Sequence, residues 1–321
     1  MNKIEHHGWS DSIKIENEKV ELIASTQFGP RILHVGFVGG KNLLHADPEW
    51  HGKVGPIDKW VNYGGHRIWF APEVHPLTYG PDNSPVERAE YEGDELVLTS
   101  QVEPHSGIQK ELRVEIASAG AAAVKVTHLL TNHNAWPIEL APWALSVVAE
   151  GGRVVLPQEP YKGHGEDNEF LPSRPLVLWP FTDMSDSRWT WGKKLIHLRS
   201  DPALDTPQKI GIFNTLGWGA YIASNGDVLV KILDVDDYAP EEYPDYGSTF
   251  ETFTKGAFQE IETLGPLELI EPGDTIEFIE YWYLAHLDEV PSGDAELSAT
   301  LEPLIAEARK ELGIFGIGVD Y

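Results

Sequence analysis

Alternation of apolar and polar residues with a period of two dominates this chain of 321 residues. In the stretch Lys110-Glu111-Leu112-Arg113-Val114-Glu115-Ile116, the apolar side chains fall on one face and the charged side chains on the other. Such alternation is typical of half-buried antiparallel strands. Similar runs, separated by Gly and Pro clusters that indicate hairpins, occur at 12–15, 20–24, 31–37, 94–102, 123–129, 194–198, 210–213, 228–233 and 275–284.

Three other patterns are missing from the sequence: strand–helix alternation, a Ser/Gly-rich linker, and a repeat of blade or solenoid length. A parallel α/β sheet, two linked domains and a repeat architecture are therefore disfavoured. We predict a mostly β fold, an antiparallel β-sandwich that forms a single domain over residues 1–321.

One segment has helical instead of strand periodicity. Its apolar residues recur at helical spacing, and they are Leu297, Leu301, Leu304, Ile305 and Ala308. Ser292 or Asp294 can cap the start of this segment, and Gly313 follows its end. We predict a peripheral helix over residues 294–313 that packs on the outside of the sheets.

Charge limits the classes of partner. Asp and Glu number 51 and Lys and Arg number 24, which gives a formal net charge of −27. Nucleic acid binding requires a basic surface, so we expect no nucleic acid partner. The most apolar stretch, 140–149, is too short to span a bilayer, and we expect no membrane partner. The first residues lack the apolar core of a secretory signal, which favours a cytoplasmic location.

Motifs for cofactors and metals are also missing. The sequence has no P-loop, no Gly-x-Gly-x-x-Gly, no Gly-x-Ser-x-Gly and no His-Glu-x-x-His, and it contains no cysteine. Glu73 and His75 lack a third ligand nearby. The acidic segment 234–242 is either a solvated turn or a calcium loop, and it lacks the spacing of an EF-hand. We predict no cofactor and no metal site.

Three segments carry a family resemblance. They are Phe28-Gly29-Pro30-Arg31-Ile32-Leu33 with Gly39-Gly40-Lys41-Asn42-Leu43-Leu44, Asn62-Tyr63-Gly64-Gly65-His66-Arg67-Ile68-Trp69, and Phe258-Gln259-Glu260-Ile261-Glu262-Thr263-Leu264-Gly265-Pro266-Leu267. With these segments, in this order, the chain resembles the galactose mutarotase (aldose 1-epimerase) superfamily over nearly its whole length before the final helix. It looks most like a bacterial branch of that superfamily with no assigned function.

The resemblance implies a β-supersandwich whose concave face binds a sugar, and hence a small-molecule saccharide as the partner. In mutarotases a glutamate takes the proton of the anomeric hydroxyl and a histidine protonates the ring oxygen, so the ring opens and closes on its other face. This chemistry needs a base and an acid on opposite sides of one C–O bond.

Carried over to this sequence, the resemblance implies that Arg67 is the sugar-binding arginine and Glu262 the general base. We expect Glu260, in the same segment, to contact the ligand. The alternative for Arg67 and Glu262 is an internal ion pair that ties two strands together.

The position of the acid histidine differs from the family pattern. The segment around Ala141-Pro142-Trp143-Ala144 places Trp143 where that histidine belongs, and tryptophan cannot protonate a ring oxygen. His66, His75 and His164 are the candidates to replace it, with His66 and His75 as acids and His164 as a ligand contact.

Aromatic residues form the last signal, because sugars stack their C–H faces on aromatic rings. Those near the candidate segments are Trp69, Trp143, Trp179, Trp189, Trp191 and Trp218. The Pro-rich stretch 157–191 is too long for a plain connector. We expect it to fold over the mouth of the cleft and to supply Trp179, Trp189, Trp191 and Arg188 to the ligand; the alternative is that these rings belong to the core.

Three hypotheses follow. The chain is a mutarotase or epimerase that uses Glu262 as base, a carbohydrate-binding protein without chemistry, or a lyase or hydrolase that uses the same cleft. The resemblance alone does not separate them. A second titratable group opposite Glu262 would favour an enzyme, whereas one carboxylate and a wall of tryptophan would favour binding. The identity of the sugar and the oligomeric state stay open.

Overall fold

The structure is a computed structural model that describes residues 2–118, 120–165, 172–235 and 239–316. These residues form 21 strands, which are β1 (Asn2–His6), β2 (Trp9–Glu16), β3 (Val20–Ser25), β4 (Arg31–Phe37), β5 (His66–Ala71), β6 (Arg88–Glu92), β7 (Glu95–Thr99), β8 (Ile108–Ile116), β9 (Ala123–Asn132), β10 (Ile138–Val147), β11 (Arg153–Pro157), β12 (Leu176–Leu178), β13 (Trp189–Trp191), β14 (Leu195–Arg199), β15 (Gln208–Ile212), β16 (Trp218–Ile222), β17 (Asp227–Ile232), β18 (Phe250–Lys255), β19 (Phe258–Leu264), β20 (Glu268–Ile270) and β21 (Thr275–His286).

The strands form two sheets, and the strand pairings among the described residues are antiparallel. The larger sheet has the order β1-β2-β3-β4-β5-β10-β19-β18-β15-β12, with β20 paired to β10. The smaller sheet has the order β13-β14-β11-β16-β17-β21-β9-β8-β7-β6. The mostly β, antiparallel fold predicted from the alternation is confirmed.

Strand β5 shows how the alternation distributes residues between the two faces of the larger sheet. Ile68 and Phe70 point inward and join the main hydrophobic core, which apolar residues from both sheets form. Trp69 and Ala71 point outward and join a separate apolar cluster with residues of β10 and β19. Around β5, β10 and β19, the outer face of the larger sheet is therefore covered by apolar side chains, on which Trp60 and Tyr79 also pack.

The long helix, α2 (Asp294–Leu312), lies near the C-terminus as predicted, and a single turn, α1 (Pro244–Gly247), precedes β18. Helix α2 buries Leu297, Leu301, Ile305, Ala308 and Leu312, and it packs on β9, β17 and β21 of the smaller sheet. Short 3₁₀ turns lie at Pro48–Trp50, Pro240–Glu242 and Gly313–Phe315.

The cap predicted for α2 differs from the structure. The N-cap residue is Gly293, which has no capping side chain. The Asp294 carboxylate instead accepts hydrogen bonds from the backbone N–H groups of Lys193, Lys194 and Leu195, and so joins the helix to the turn before β14. Among the described residues, no helix combines the length and apolar character needed to cross a membrane.

Candidate functional site

A row of polar side chains crosses the outer face of the larger sheet. Leu145 of β10 lies opposite Arg67 of β5 on one side and opposite Glu262 of β19 on the other. Glu262 in turn lies opposite Glu251 of β18. Because directly opposed residues in antiparallel strands share a face, the register brings Arg67, Glu262 and Glu251 to the same side of the sheet.

Glu262 is held by two donors. Lys209 Nζ and Trp143 Nε1 both donate to Glu262 Oε2, each at 2.9 Å. Lys209 Nζ also lies 2.7 Å from Glu251 Oε2, so one ammonium group contacts two carboxyl groups. Glu262 has no exposed surface, and the Lys209 side chain is 7% exposed. The arrangement fixes one oxygen of Glu262 and leaves the other free to accept.

Arg67 pairs with the carboxyl group two residues before Glu262. Its Nη2 donates to Glu260 Oε1 at 3.2 Å, and both residues are buried. We name Arg67, Lys209, Glu251, Glu260 and Glu262 the outer-face cluster. The cluster contains three acidic and two basic side chains.

Aromatic rings surround the cluster. The Arg67 guanidinium lies 4.6 Å from the ring centre of Trp69 and 5.9 Å from that of Trp60. Lys209 Nζ lies 4.8 Å from the ring centre of Trp143 and 4.6 Å from that of Trp179. Tryptophan faces stabilise cations at such distances, and they also provide surfaces on which a sugar can stack.

Burial changes the acid strength of the cluster. It raises the pKa of Glu260 to about 7, although the Arg67 guanidinium opposes the shift. It also raises the pKa of Glu251 well above its usual range, against the effect of Lys209 and with the help of Glu262 and Asp245. Burial disfavours the charge of Lys209, but the two neighbouring glutamates outweigh it and raise the pKa of that ammonium group. Near neutral pH the cluster therefore combines a stable cation with a carboxyl group that can hold or release a proton.

Several buried polar atoms at this face have no hydrogen-bond partner within the described residues. They include Arg67 Nε and Nη1, Glu262 Oε1 and Trp60 Nε1. Such atoms are rare in folded proteins, because an unpaired buried donor or acceptor costs about 1–3 kcal/mol. Donors and an acceptor left unpaired at one place indicate a site for a ligand that can both donate and accept hydrogen bonds.

His66 lies on the opposite face of β5 from Arg67. Its Nδ1 is 2.8 Å from Ser146 Oγ and its Nε2 is 2.7 Å from His128 Nε2, in the core between the sheets. Burial keeps the pKa of His66 well below its usual value and lowers that of His128 to about 4, so both rings are neutral at pH 7. The structure therefore does not bring His66 to the face that carries Arg67 and Glu262, because adjacent residues of a strand point to opposite faces.

The inner histidines form a network with Glu280. His128 Nδ1 lies 3.0 Å from the carbonyl oxygen of Phe278. Lys231 Nζ and Trp282 Nε1 donate to the Glu280 carboxylate at 2.8 and 2.9 Å. The ligand atoms of His66, His128 and Glu280 all lie within 4.8 Å of one another, close enough to hold a metal ion. Two nitrogens bound to one zinc ion lie roughly 3.3 Å apart, however, whereas these two are at hydrogen-bond distance. The network fits a hydrogen-bonded core better than a metal site.

Some of the remaining predicted residues contact the outer-face cluster or the aromatic rings around it, and the others lie elsewhere. Trp179 contacts Lys209 of the outer-face cluster, and the ring of His75 lies 5.6 Å from that of Tyr79, which packs on Trp69. His164 is exposed, next to residues outside the described part of the chain. Trp143 contacts the cluster through its Nε1, which donates to Glu262.

The structure places Trp189, Trp191 and Arg188 away from the outer-face cluster. Trp189 and Trp191 stack on each other in the edge strand of the smaller sheet, with ring centres 5.0 Å apart, and pack against the main core. Arg188 is bound by the Asp186 carboxylate and by the Leu204 and Thr206 carbonyls. Of the described residues in the stretch expected to cover the cleft, Trp179 contacts the Lys209 ammonium group and Thr182 donates a hydrogen bond to the Lys209 carbonyl oxygen. Residues 166–171 lie outside the described part.

Sequence reasoning missed several members of the site, namely Lys209, Glu251, Asp245, Trp60 and Tyr79. Lys209 and Glu251 occupy the outward positions of short strands, where a charged residue normally indicates a solvated face. The acidic segment 234–242 is described only in part, because residues 236–238 lie outside the described residues. Its Glu242 carboxylate accepts a hydrogen bond from the Ala239 N–H.

A cavity of about 760 Å³ lies elsewhere in the molecule, between α2 and the smaller sheet. Leu195, Trp218, Ile232, Glu302 and Arg309 are among its lining residues. The cavity contains no residue of the outer-face cluster, so its size is not evidence about that site.

Comparison with known proteins shows the fold. No family model and no curated protein sequence matches the chain. Among solved structures, a galactose mutarotase-like protein from Lactobacillus casei superposes with a TM-score of 0.56 at 10% identity, covering 85% of this chain and 100% of that one. A provisionally assigned aldose 1-epimerase from Klebsiella pneumoniae superposes with a TM-score of 0.56 at 12% identity, covering 94% of this chain and 85% of that one. The chain therefore has the galactose mutarotase-like fold, as its sequence motifs indicated.

Proposed function

We propose that this protein acts on a free sugar as a mutarotase or epimerase and that the outer-face cluster is its site. The observation that carries the proposal is the group of unpaired buried atoms, with Arg67 Nε and Nη1 as donors and Glu262 Oε1 as acceptor. A sugar hydroxyl both donates and accepts, so a polyhydroxylated ligand satisfies both kinds of atom. The fold shared with mutarotase-like proteins supports a carbohydrate ligand.

Glu262 has the arrangement of a general base. Lys209 and Trp143 hold its Oε2, which orients the carboxylate and leaves Oε1 to accept the proton of the anomeric hydroxyl. Loss of that proton turns the hydroxyl oxygen into the carbonyl oxygen of the open-chain aldehyde as the bond between the anomeric carbon and the ring oxygen breaks.

Glu260 is the proposed acid, in the role that histidine has in mutarotases. It lies two residues before Glu262 on the same face of β19, and two residues of a strand span about 6.6 Å. With a pKa of about 7, the carboxyl group of Glu260 holds a proton part of the time at neutral pH and can give it to the ring oxygen. The opened sugar rotates about the bond next to its aldehyde carbon and closes on the other face, as both protons return.

Arg67 then serves as the anchor. Its Nη2 holds Glu260, and its unpaired Nε and Nη1 are free to donate to sugar hydroxyls. Since Arg67 is only 3% exposed, a ligand reaches it when the neighbouring aromatic side chains of Trp60 and Tyr79 move.

A carbohydrate-binding protein without chemistry is the second candidate. The observation in its favour is the wall of tryptophan rings around the cluster, formed by Trp60, Trp69, Trp143 and Trp179. Such a wall is suited to holding a sugar whether or not a proton is transferred. The second titratable group, Glu260, makes the enzyme the better supported of the two.

Anomer exchange measured by NMR on common aldoses, with and without the protein, tests the proposal. Glu262→Gln keeps the shape of the side chain and removes the base, so the rate should fall by about 10²–10⁴-fold. Glu277→Gln, an exposed position on β21 of the smaller sheet, is the matched control and should leave the rate unchanged.

The outcomes separate the candidates. Undiminished exchange in Glu262→Gln removes Glu262 from the role of base. Binding of sugars without any acceleration of exchange in the wild-type protein supports the binding protein instead of the enzyme. If no aldose binds at all, both candidates are wrong.

A further inference from the structure

Phenylalanine rings continue the outer face of the larger sheet beyond the outer-face cluster. Phe253 of β18 lies directly opposite Lys209 of β15 on one side and opposite Glu260 of β19 on the other. Phe258 lies two residues before Glu260 on β19, and therefore on the same face. The rings thus begin beside the carboxyl group that is the proposed acid.

Ring contacts join these two residues and add a third. The ring centre of Phe253 lies 6.0 Å from that of Phe258 and 6.4 Å from that of Phe181, which follows β12. None of the three side chains is fully buried, and Phe181 is 41% exposed. We name Phe181, Phe253 and Phe258 the aromatic strip. Apolar rings that stay exposed next to a polar site indicate a surface on which a ligand packs.

Burial decreases along β19 from the cluster toward the aromatic strip. Glu262 has no exposed surface, Glu260 is slightly exposed, and Phe258 is only partly buried. Lys255, which lies directly opposite Phe258, is exposed. A ligand whose reacting part lies at Glu262 is therefore enclosed at that end and reaches solvent over the aromatic strip.

The unpaired atoms of the cluster provide independent evidence of a ligand at the enclosed end. Within the described residues, Glu262 Oε1 lacks a donor, and Arg67 Nε and Nη1 lack acceptors. One sugar ring with several hydroxyl groups satisfies these atoms. Phe258 lies four residues from Glu262, roughly 13 Å along the strand, which is too far for the same ring to reach. The aromatic strip therefore has space for a second ring.

The order of atoms in a pyranose decides where that second ring is attached. Glu262 is the proposed base at the hydroxyl group of C1, and Glu260 is the proposed acid at the ring oxygen. The ring oxygen is bonded to C5, which carries C4 and C6, whereas C2 adjoins C1 on the other side. A sugar unit attached to C4 or C6 therefore lies on the side of Glu260 and the aromatic strip, and a unit attached to C2 does not.

We propose that the ligand is a reducing oligosaccharide of 4- or 6-linked units, with its reducing unit in the outer-face cluster and the next unit stacked on the aromatic strip. This inference rests on the proposed function, because it names the class of sugar that the same site takes. The reducing unit has the free anomeric hydroxyl group that the reaction needs. The glycosidic bond stays intact, since only the ring of the reducing unit opens and closes. The C–H face of the next unit packs on the phenylalanine rings.

Calorimetric binding measurements on matched sugars test the proposal. Glucose, galactose and mannose are each compared with 4-linked, 6-linked and 2-linked disaccharides that have the same reducing unit. Each aromatic ring in contact with the second unit contributes roughly 2- to 10-fold in affinity. The 4- or 6-linked disaccharide of at least one aldose should therefore bind about 10- to 100-fold more tightly than the aldose itself. The 2-linked disaccharide should bind no more tightly than the aldose.

Variants of the aromatic strip locate the second unit. Phe181→Ala and Phe258→Ala should each weaken binding of the preferred disaccharide more than they weaken binding of the aldose. Tyr91→Ala is the matched control, because Tyr91 is 42% exposed and lies on β6, at the edge of the smaller sheet. It should leave both affinities unchanged. The comparison of linkages uses the wild-type protein and needs no variant to fold.

Each result bears on the proposal. If the aldoses bind as tightly as their 4- and 6-linked disaccharides, or if the 2-linked disaccharides bind as tightly as the others, the inference is wrong while the proposed function stands. The same holds if the phenylalanine variants weaken binding of aldose and disaccharide equally. If no sugar in the panel binds, the inference and the proposed function are both wrong.

Discussion

Removal of the Lys209 ammonium group is the most direct test of the outer-face cluster. Lys209 Nζ contacts the carboxyl groups of Glu251 and Glu262, and its side chain is 7% exposed. Lys209→Met keeps most of the apolar stem and leaves these carboxyl groups buried without their cation. Breaking a buried ion pair from one side costs about 3–5 kcal/mol, because the remaining charge is not solvated.

For a chain of this size that loss corresponds to a fall in Tm of about 5–10 °C. The loss should be largest above neutral pH and should shrink as the pH is lowered, because protonation neutralises the orphaned carboxyl groups. Urea unfolding at several pH values, together with thermal melting, measures both effects.

Two further variants sharpen the test. The double variant Lys209→Met, Glu251→Gln removes one negative charge with the positive one and should regain part of the lost stability. Lys194→Met breaks an ion pair with Glu302 in which both side chains are more than half exposed, and it should change stability little. If Lys209→Met were no more destabilising than Lys194→Met, or if its effect did not depend on pH, the buried ion network would not have the energetic role assigned to it.

Two other predictions concern pH. The pKa of Glu260 rises from its ordinary value to about 7 on folding, so its contribution to stability is present at low pH and is lost as the pH rises through this window. The unfolding free energy of Glu260→Gln, relative to that of the wild type, should therefore rise by roughly 3 kcal/mol between pH 5 and pH 8. If the difference between the two proteins stayed constant over this pH range, the raised pKa of Glu260 would be contradicted. The pKa of His128 falls to about 4 on folding, so the stability due to its neutral ring is present above its ordinary pKa of 6.5 and is lost as the pH falls below it. His128→Gln should accordingly lose less stability than the wild type between pH 7 and pH 4, as measured by chemical unfolding; an equal loss in both proteins would show that His128 is not the group that titrates.

The alternation of residues determined much of the fold. It placed ten of the 21 strands, indicated that strands pair antiparallel, and marked the final helix, because side-chain burial in strands and helices imposes periods of 2.0 and 3.6 residues. The same alternation also places His66 and Arg67 on opposite faces of one strand, as the structure does, so a site that includes both was inconsistent with the strand pattern.

The composition of the site depended on the tertiary structure. Lys209 and Glu251 are distant in sequence from Glu262, and the pattern around each is that of a solvated strand face. Only the register of β18 against β19, and the position of β15 beside β18, brings the three side chains together. Trp189 and Trp191 show the reverse. Their aromatic rings and their place in a Pro-rich stretch suggested a surface on which a sugar stacks, but strand pairing places them at the edge of the smaller sheet. Sequence periodicity determines which face a residue occupies; which residues meet on that face is decided by strand order and register, since these depend on the packing of the whole chain.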